Sequence, residues 1–88
     1  MDHSIFVIEQ IEKARVQRGW SEKELAVRAA IDPKRFWRIL NHERMLRCDE
    51  LARLQLVLEI SLDKLIHPDT WKHMTQFGEP RGAAGNPR

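Results

Sequence analysis

Cysteine is nearly absent: a single Cys48 in 88 residues excludes an internal disulfide, and with it a disulfide-stapled scaffold. Long apolar runs are missing too. Ile5-Phe6-Val7-Ile8, among the longest, falls far short of a membrane span or a signal-type apolar region. These two absences set the expectation of an intracellular, cytoplasmic protein in a reducing compartment, with no membrane partner. Period-2 alternation bounded by turn residues is nearly lacking, which argues against strands, and no internal repeat is visible. The chain carries no phosphate-binding loop, no Ser–His–Asp arrangement and no cluster of paired carboxylates. His3, His42, His67 and His73 lack metal-ligand spacing; Pro68 separates His67 from His73, and the pair does not stack on one helix face. The expectation is a protein without enzymatic activity, metal or cofactor, in which Cys48 serves as a small residue.

What is present fits one small helical domain. A hydrophobic content of 42% supports a core of limited size. The net charge of +2, from 15 basic and 13 acidic residues, says little, but its distribution says more. Between Pro33 and Arg47 stand Lys34, Arg35, Arg38, Arg44 and Arg47 against the one acid Glu43. A local basic patch in a near-neutral domain matches a phosphate-binding surface; the plainer alternative is a solvated polar face.

The segment Ser21–Asn41 encodes two short helices joined by a tight turn. Ser21 and Glu24 have the S-x-x-E spacing of a capping box, and Leu25, Ala26 and Ala29 follow on one face. Asp32-Pro33 restarts helix at once, because Asp caps well and Pro suits the first helical position. Phe36, Ile39 and Leu40 give the second helix an apolar stripe, and Lys34, Arg35 and Arg38 occupy the rest of it. Two helices joined so closely cross steeply and present a cationic face, the geometry of a DNA-reading helix-turn-helix.

Around this pair the reading is five helices and a tail. A first helix spans about Ser4–Arg18, with Ile8, Ile11 and Ala14 inward and Gly19 as its stop. The central two cover Glu22–Ala29 and Pro33–Leu40. A fourth runs from Asp49 to Leu58 with Leu51, Leu54 and Leu58 facing the core. A short fifth is capped by Ser61, packs Leu62, Leu65 and Ile66, and ends at His67-Pro68. Residues 1–67 would form the domain. Residues 68–77 would form one more short helix, capped by Asp69, in which Trp71, Met74 and Phe77 make an apolar stripe. That stripe either forms a dimer interface or folds back on its own chain. Residues 78–88, rich in Gly and Pro with nothing apolar larger than Ala, are expected to be disordered.

With these pieces in order, the chain from about Ile8 to Ile66 resembles the Cro/CI (XRE-type) helix-turn-helix family of bacterial and phage transcriptional regulators. The matching residues are Ile11 and Ala14, Gly19-Trp20-Ser21, Leu25-Ala26, Ile31, Phe36, Ile39, and the run Leu51, Leu54, Leu58, Ile60-Ser61-Leu62-Asp63-Lys64-Leu65-Ile66. The resemblance implies a compact all-α, lambda-repressor-like bundle of about five helices whose third helix lies in the DNA major groove. Four positions depart from the family pattern: Glu22 replaces a phosphate-contacting Gln, Ala30 replaces the turn Gly, Leu40-Asn41-His42 replaces a Glu-x-Gly ending, and Trp37 stands where small polar residues face DNA. Ala30 costs little if the turn avoids positive φ, and Asn41 can take the left-handed cap in place of Gly.

By the family match, Lys34, Arg35, Trp37, Arg38 and Asn41, on a helix begun by Pro33, would enter the groove. Lys34 and Arg38 share a face, and either suits guanine O6 and N7. Arg44 and Arg47 suit backbone phosphates, as does Ser21 with the N–H groups of the helix it caps. Burying Phe36 leaves Trp37 largely exposed, to contact thymine methyls, to anchor a protein or to lie partly buried. The expected function is a sequence-specific regulator, a repressor, binding a palindromic double-stranded operator as a homodimer with half-sites ~34 Å apart. The alternative is a protein-interaction module, an antirepressor or partner subunit, that keeps the fold without reading DNA.

Overall fold

The computed structural model describes residues 3–76. Within them every regular element is helical, in the order α1 (His3–Arg18), α2 (Glu22–Arg28), α3 (Pro33–Leu40), α4 (Cys48–Leu58), a single 3-10 turn (Leu62–Leu65) and α5 (Pro68–Thr75). Helix α2 packs against both α3 and α4, and α1 packs against α4 and the 3-10 turn. The side chains of Ile11, Leu25, Phe36, Ile39, Leu54 and Leu58 are fully buried, one or more from each of the four main helices. Ile8, Ala14, Ala26, Ala29, Ile31 and Leu65 complete the core. The expected inward stripes of the first two helices are therefore the observed ones; in α3 Phe36 and Ile39 are buried while Leu40 is half-buried, and in α4 Leu54 and Leu58 are buried while Leu51 is half-buried.

The first four helices end in the same way. After each comes one left-handed residue: Gly19 (φ 72°), Ala30 (φ 58°), His42 (φ 64°) and Glu59 (φ 56°). The amide that follows reaches back to the last turn: Trp20 to the Arg15 carbonyl at 3.3 Å, Ile31 to Ala26 at 2.9 Å, Glu43 to Arg38 at 2.8 Å and Ile60 to Gln55 at 3.2 Å. This closure satisfies carbonyls that a helix end leaves open and lets the chain turn within a few residues. Two expectations are corrected here. The α2–α3 turn does need positive φ, and Ala30 supplies it against its own Cβ. The left-handed position after α3 is His42, while Asn41 keeps φ −95° as the C-cap.

Helix starts differ in detail as well. Ser21 accepts the Glu24 N–H at 3.0 Å, but the Glu24 carboxylate pairs with Arg28 at 3.0 Å, so Ser21 alone caps α2. The short fifth helix is only a 3-10 turn: Ser61 makes no side-chain cap, Leu65 is buried and Leu62 points outward. His67, held extended before Pro68, ends this stretch and starts α5. Its Nδ1 accepts the Asp69 N–H at 3.1 Å, so His67 is the cap that was expected at Asp69.

Helix α5 leans on the start of α1. The Phe6 and His67 rings meet edge-on at 5.0 Å, and the Thr70 hydroxyl lies 3.0 Å from His3 Nε2. No α5 side chain is fully buried; Trp71 is exposed and Met74 half-buried. Phe77 and the expected tail 78–88 lie outside the described residues. No helix among the described residues is long and apolar enough to cross a membrane.

Candidate nucleic-acid interface

The residues proposed from sequence sort by which side of α3 they occupy. Asp32 Oδ2 accepts the Arg35 N–H at 3.1 Å and Pro33 takes the first helical position, which fixes where the helix begins. Phe36 and Ile39 then point into the core, and the 100° step per residue turns Lys34, Trp37, Arg38 and Asn41 outward. Trp37 keeps about half of its surface exposed (51%). Asn41 Nδ2 donates to the Trp37 carbonyl at 2.8 Å, closing the last turn of that face. Among the described residues no carboxylate pairs with Lys34 or Arg38. An exposed indole flanked by two cations without internal partners is thus the outer surface of α3.

Arg35 belongs elsewhere. Its guanidinium turns toward α4, where Nε donates to Glu50 Oε2 at 2.7 Å and Nη2 to Glu50 Oε1 at 2.8 Å. Nη2 also donates to the Met45 carbonyl at 3.0 Å. Glu50 Oε1 further accepts the Arg47 N–H at 2.9 Å. Glu50 is the one buried charged residue among those described. Hydrogen bonds from Arg35 first, and from the Arg47 amide, hold its carboxyl below the ordinary glutamate range against the opposing effect of burial. One buried carboxylate thereby ties α3, the 41–47 loop and the start of α4 together. Arg35 is a structural member of this region, not a side chain of its outer surface.

The loop so anchored carries Arg44 and Arg47 with their side chains exposed. Arg44 Nη1 reaches only its neighbour's carbonyl, Glu43, at 3.1 Å. Behind the loop lies a half-open apolar groove lined by Ile5, Ile8, Ile39, Met45, Leu46 and Leu51. Ser21 sits exposed at the start of α2 beside the exposed Glu22, its hydroxyl already engaged as the cap.

Sequence reasoning missed Glu50 and Trp20. A glutamate three residues after Arg47 has the spacing of a helix-start carboxylate, which was the available signal, but no local pattern announces its partner fifteen residues earlier. Two guanidinium groups approach the Trp20 ring, Arg28 at 4.4 Å and Arg18 at 5.4 Å from its centroid, and the Trp20 carbonyl accepts Arg15 Nη1 at 2.7 Å. Trp20 fixes the α1–α2 corner through cation–π contacts. No group of three or more His, Cys, Asp or Glu gathers as a metal site among the described residues. Comparison with family models, with curated proteins and with solved structures finds no match for this chain.

Proposed function

We propose that this chain is a sequence-specific DNA-binding regulator of the Cro/CI helix-turn-helix type, a cytoplasmic repressor that acts as a homodimer on a palindromic operator. The observation that carries the reading is the outer face of α3: Lys34, Trp37 and Arg38 stand together on a short helix whose opposite side is fixed in the core, and neither cation has a carboxylate partner among the described residues. A cationic helix projected from a tight helix–turn–helix pair suits the major groove, which admits a helix and presents guanine acceptors to Arg and Lys. Arg44 and Arg47 supply phosphate contacts from the loop that Glu50 anchors, and such contacts set the protein's register on the duplex. Trp71, exposed on α5, is the described residue best suited to the dimer surface.

Glu22 favours a second reading, a protein-interaction module, because an exposed carboxylate at the α2 start repels phosphate. Binding to fragments of the parent genome, followed by fluorescence anisotropy across a salt series, separates the two. The DNA reading requires log Kd to change linearly with log salt, and requires Lys34→Ala and Arg38→Ala to weaken binding. Absence of binding to every fragment at low salt refutes it.

A further inference from the structure

We infer, resting on the DNA reading above, that Trp37 makes this helix a reader of the pyrimidine C5-methyl group, so that each half-site carries a methyl-bearing pyrimidine beside a guanine. Trp37 is about half exposed, and of its outward neighbours on α3 Lys34 and Arg38 are cations and Asn41 is neutral. Its neighbour Phe36 fills the core, and the Asn41 amide closes on the Trp37 carbonyl at 2.8 Å, so the indole sits on a helix whose rotation and length are both fixed. Cations on both sides select a polyanion over an apolar protein surface as the occupant. Within the major groove, an indole has one apolar feature to cover: the thymine C5-methyl, which projects from the pyrimidine edge beside the guanine O6 and N7 that arginine prefers. A 5-methylcytosine presents the same methyl at the same place. The helix therefore distinguishes methylated from unmethylated pyrimidines by contact area, and the adjacent guanine by charge-assisted hydrogen bonds.

The test uses the full chain and a random duplex library of about 20 base pairs, long enough for two half-sites one helical turn apart. The best-bound duplex is remade with uracil at each thymine in turn, which deletes one methyl and nothing else. One or two positions per half-site should lose about four-fold in affinity, the worth of a methyl group removed from water. Placing cytosine at such a position, with guanine opposite, should give weak binding that C5-methylation partly restores. Trp37→Ala should abolish both methyl effects while Trp37→Phe retains them, with unchanged helical circular dichroism because residue 37 is outside the core. Binding that is salt-dependent but indifferent to every uracil substitution overturns this inference and leaves the DNA reading standing. Methyl sensitivity that survives in Trp37→Ala overturns it equally. A chain that binds no duplex at low salt overturns the DNA reading and this inference with it.

Discussion

Arg35 and Glu50 form a two-point ion pair between α3 and α4, with Nε–Oε2 at 2.7 Å and Nη2–Oε1 at 2.8 Å. The same carboxylate takes the Arg47 amide, so its removal loosens two helices and the loop between them. Glu50→Gln should lower unfolding stability by about 2 kcal/mol, the scale of a charge-assisted pair broken at a largely buried carboxylate. Urea denaturation at neutral pH measures it. The carboxyl is held below its ordinary value, so its contribution is full above the unfolded value, about 4.3, and is lost as pH falls through the lower folded value. Wild type should therefore lose stability on acidification more steeply than Glu50→Gln, and the two should converge at low pH.

Ala30→Gly should stabilise the domain. Ala30 holds φ 58° with an exposed side chain, so glycine relieves the Cβ strain and sacrifices no packing. A gain of about 0.5–1 kcal/mol is expected, seen as a rise of roughly 4 °C in the thermal midpoint. Ala30→Val should move the midpoint the other way.

Leu54→Ala should come close to unfolding the chain. Leu54 is fully buried on α4, which packs against both α1 and α2. The cavity left by such a change costs about 2–5 kcal/mol, comparable to the whole stability of a domain this small. Circular dichroism at 222 nm during urea titration should show the midpoint displaced to low denaturant.

Glu22→Gln should separate affinity from stability. The exposed carboxylate favours the α2 N-terminus but opposes an approaching phosphate. Removing it should tighten DNA binding by about two- to five-fold at low salt while lowering the thermal midpoint slightly. Anisotropy and calorimetry on one preparation check both signs together.

Most helix boundaries were legible because their signals are local. Ser21, Asp32-Pro33 and Gly19 act within one turn of their own position, and the structure starts or stops helices at each. The outward direction of Trp37 followed from Phe36 in the same way. Arg35 was misplaced because its partner is distant in sequence: composition places a cation on the helix, while only the fold decides whether a buried carboxylate awaits it. The left-handed residues Ala30, His42 and Glu59 were unreadable for a different reason. Ala and Glu carry no preference for that conformation and His only a modest one, and the backbone closure of each helix end imposes it. The Ser61–Ile66 run read as a helix from its polar start and three apolar residues, yet it forms a single 3-10 turn in which Leu65 is buried, Ile66 half-buried and Leu62 exposed.

Four arginines tie the helices together by donating to main-chain carbonyls. Arg15 reaches Trp20, Arg18 reaches Leu58, Arg35 reaches Met45 and Arg53 reaches Ala29. Three of these also grip a carboxylate at close range, Glu12, Glu50 and Asp49 in turn. Such double engagement depends on a rigid planar fork, which lysine lacks. A chain recoded with lysine at these four positions would keep its net charge and its overall isoelectric character, yet lose the ties between its helices. In this protein the architectural information of a basic residue resides in the shape of its head group as well as in its charge.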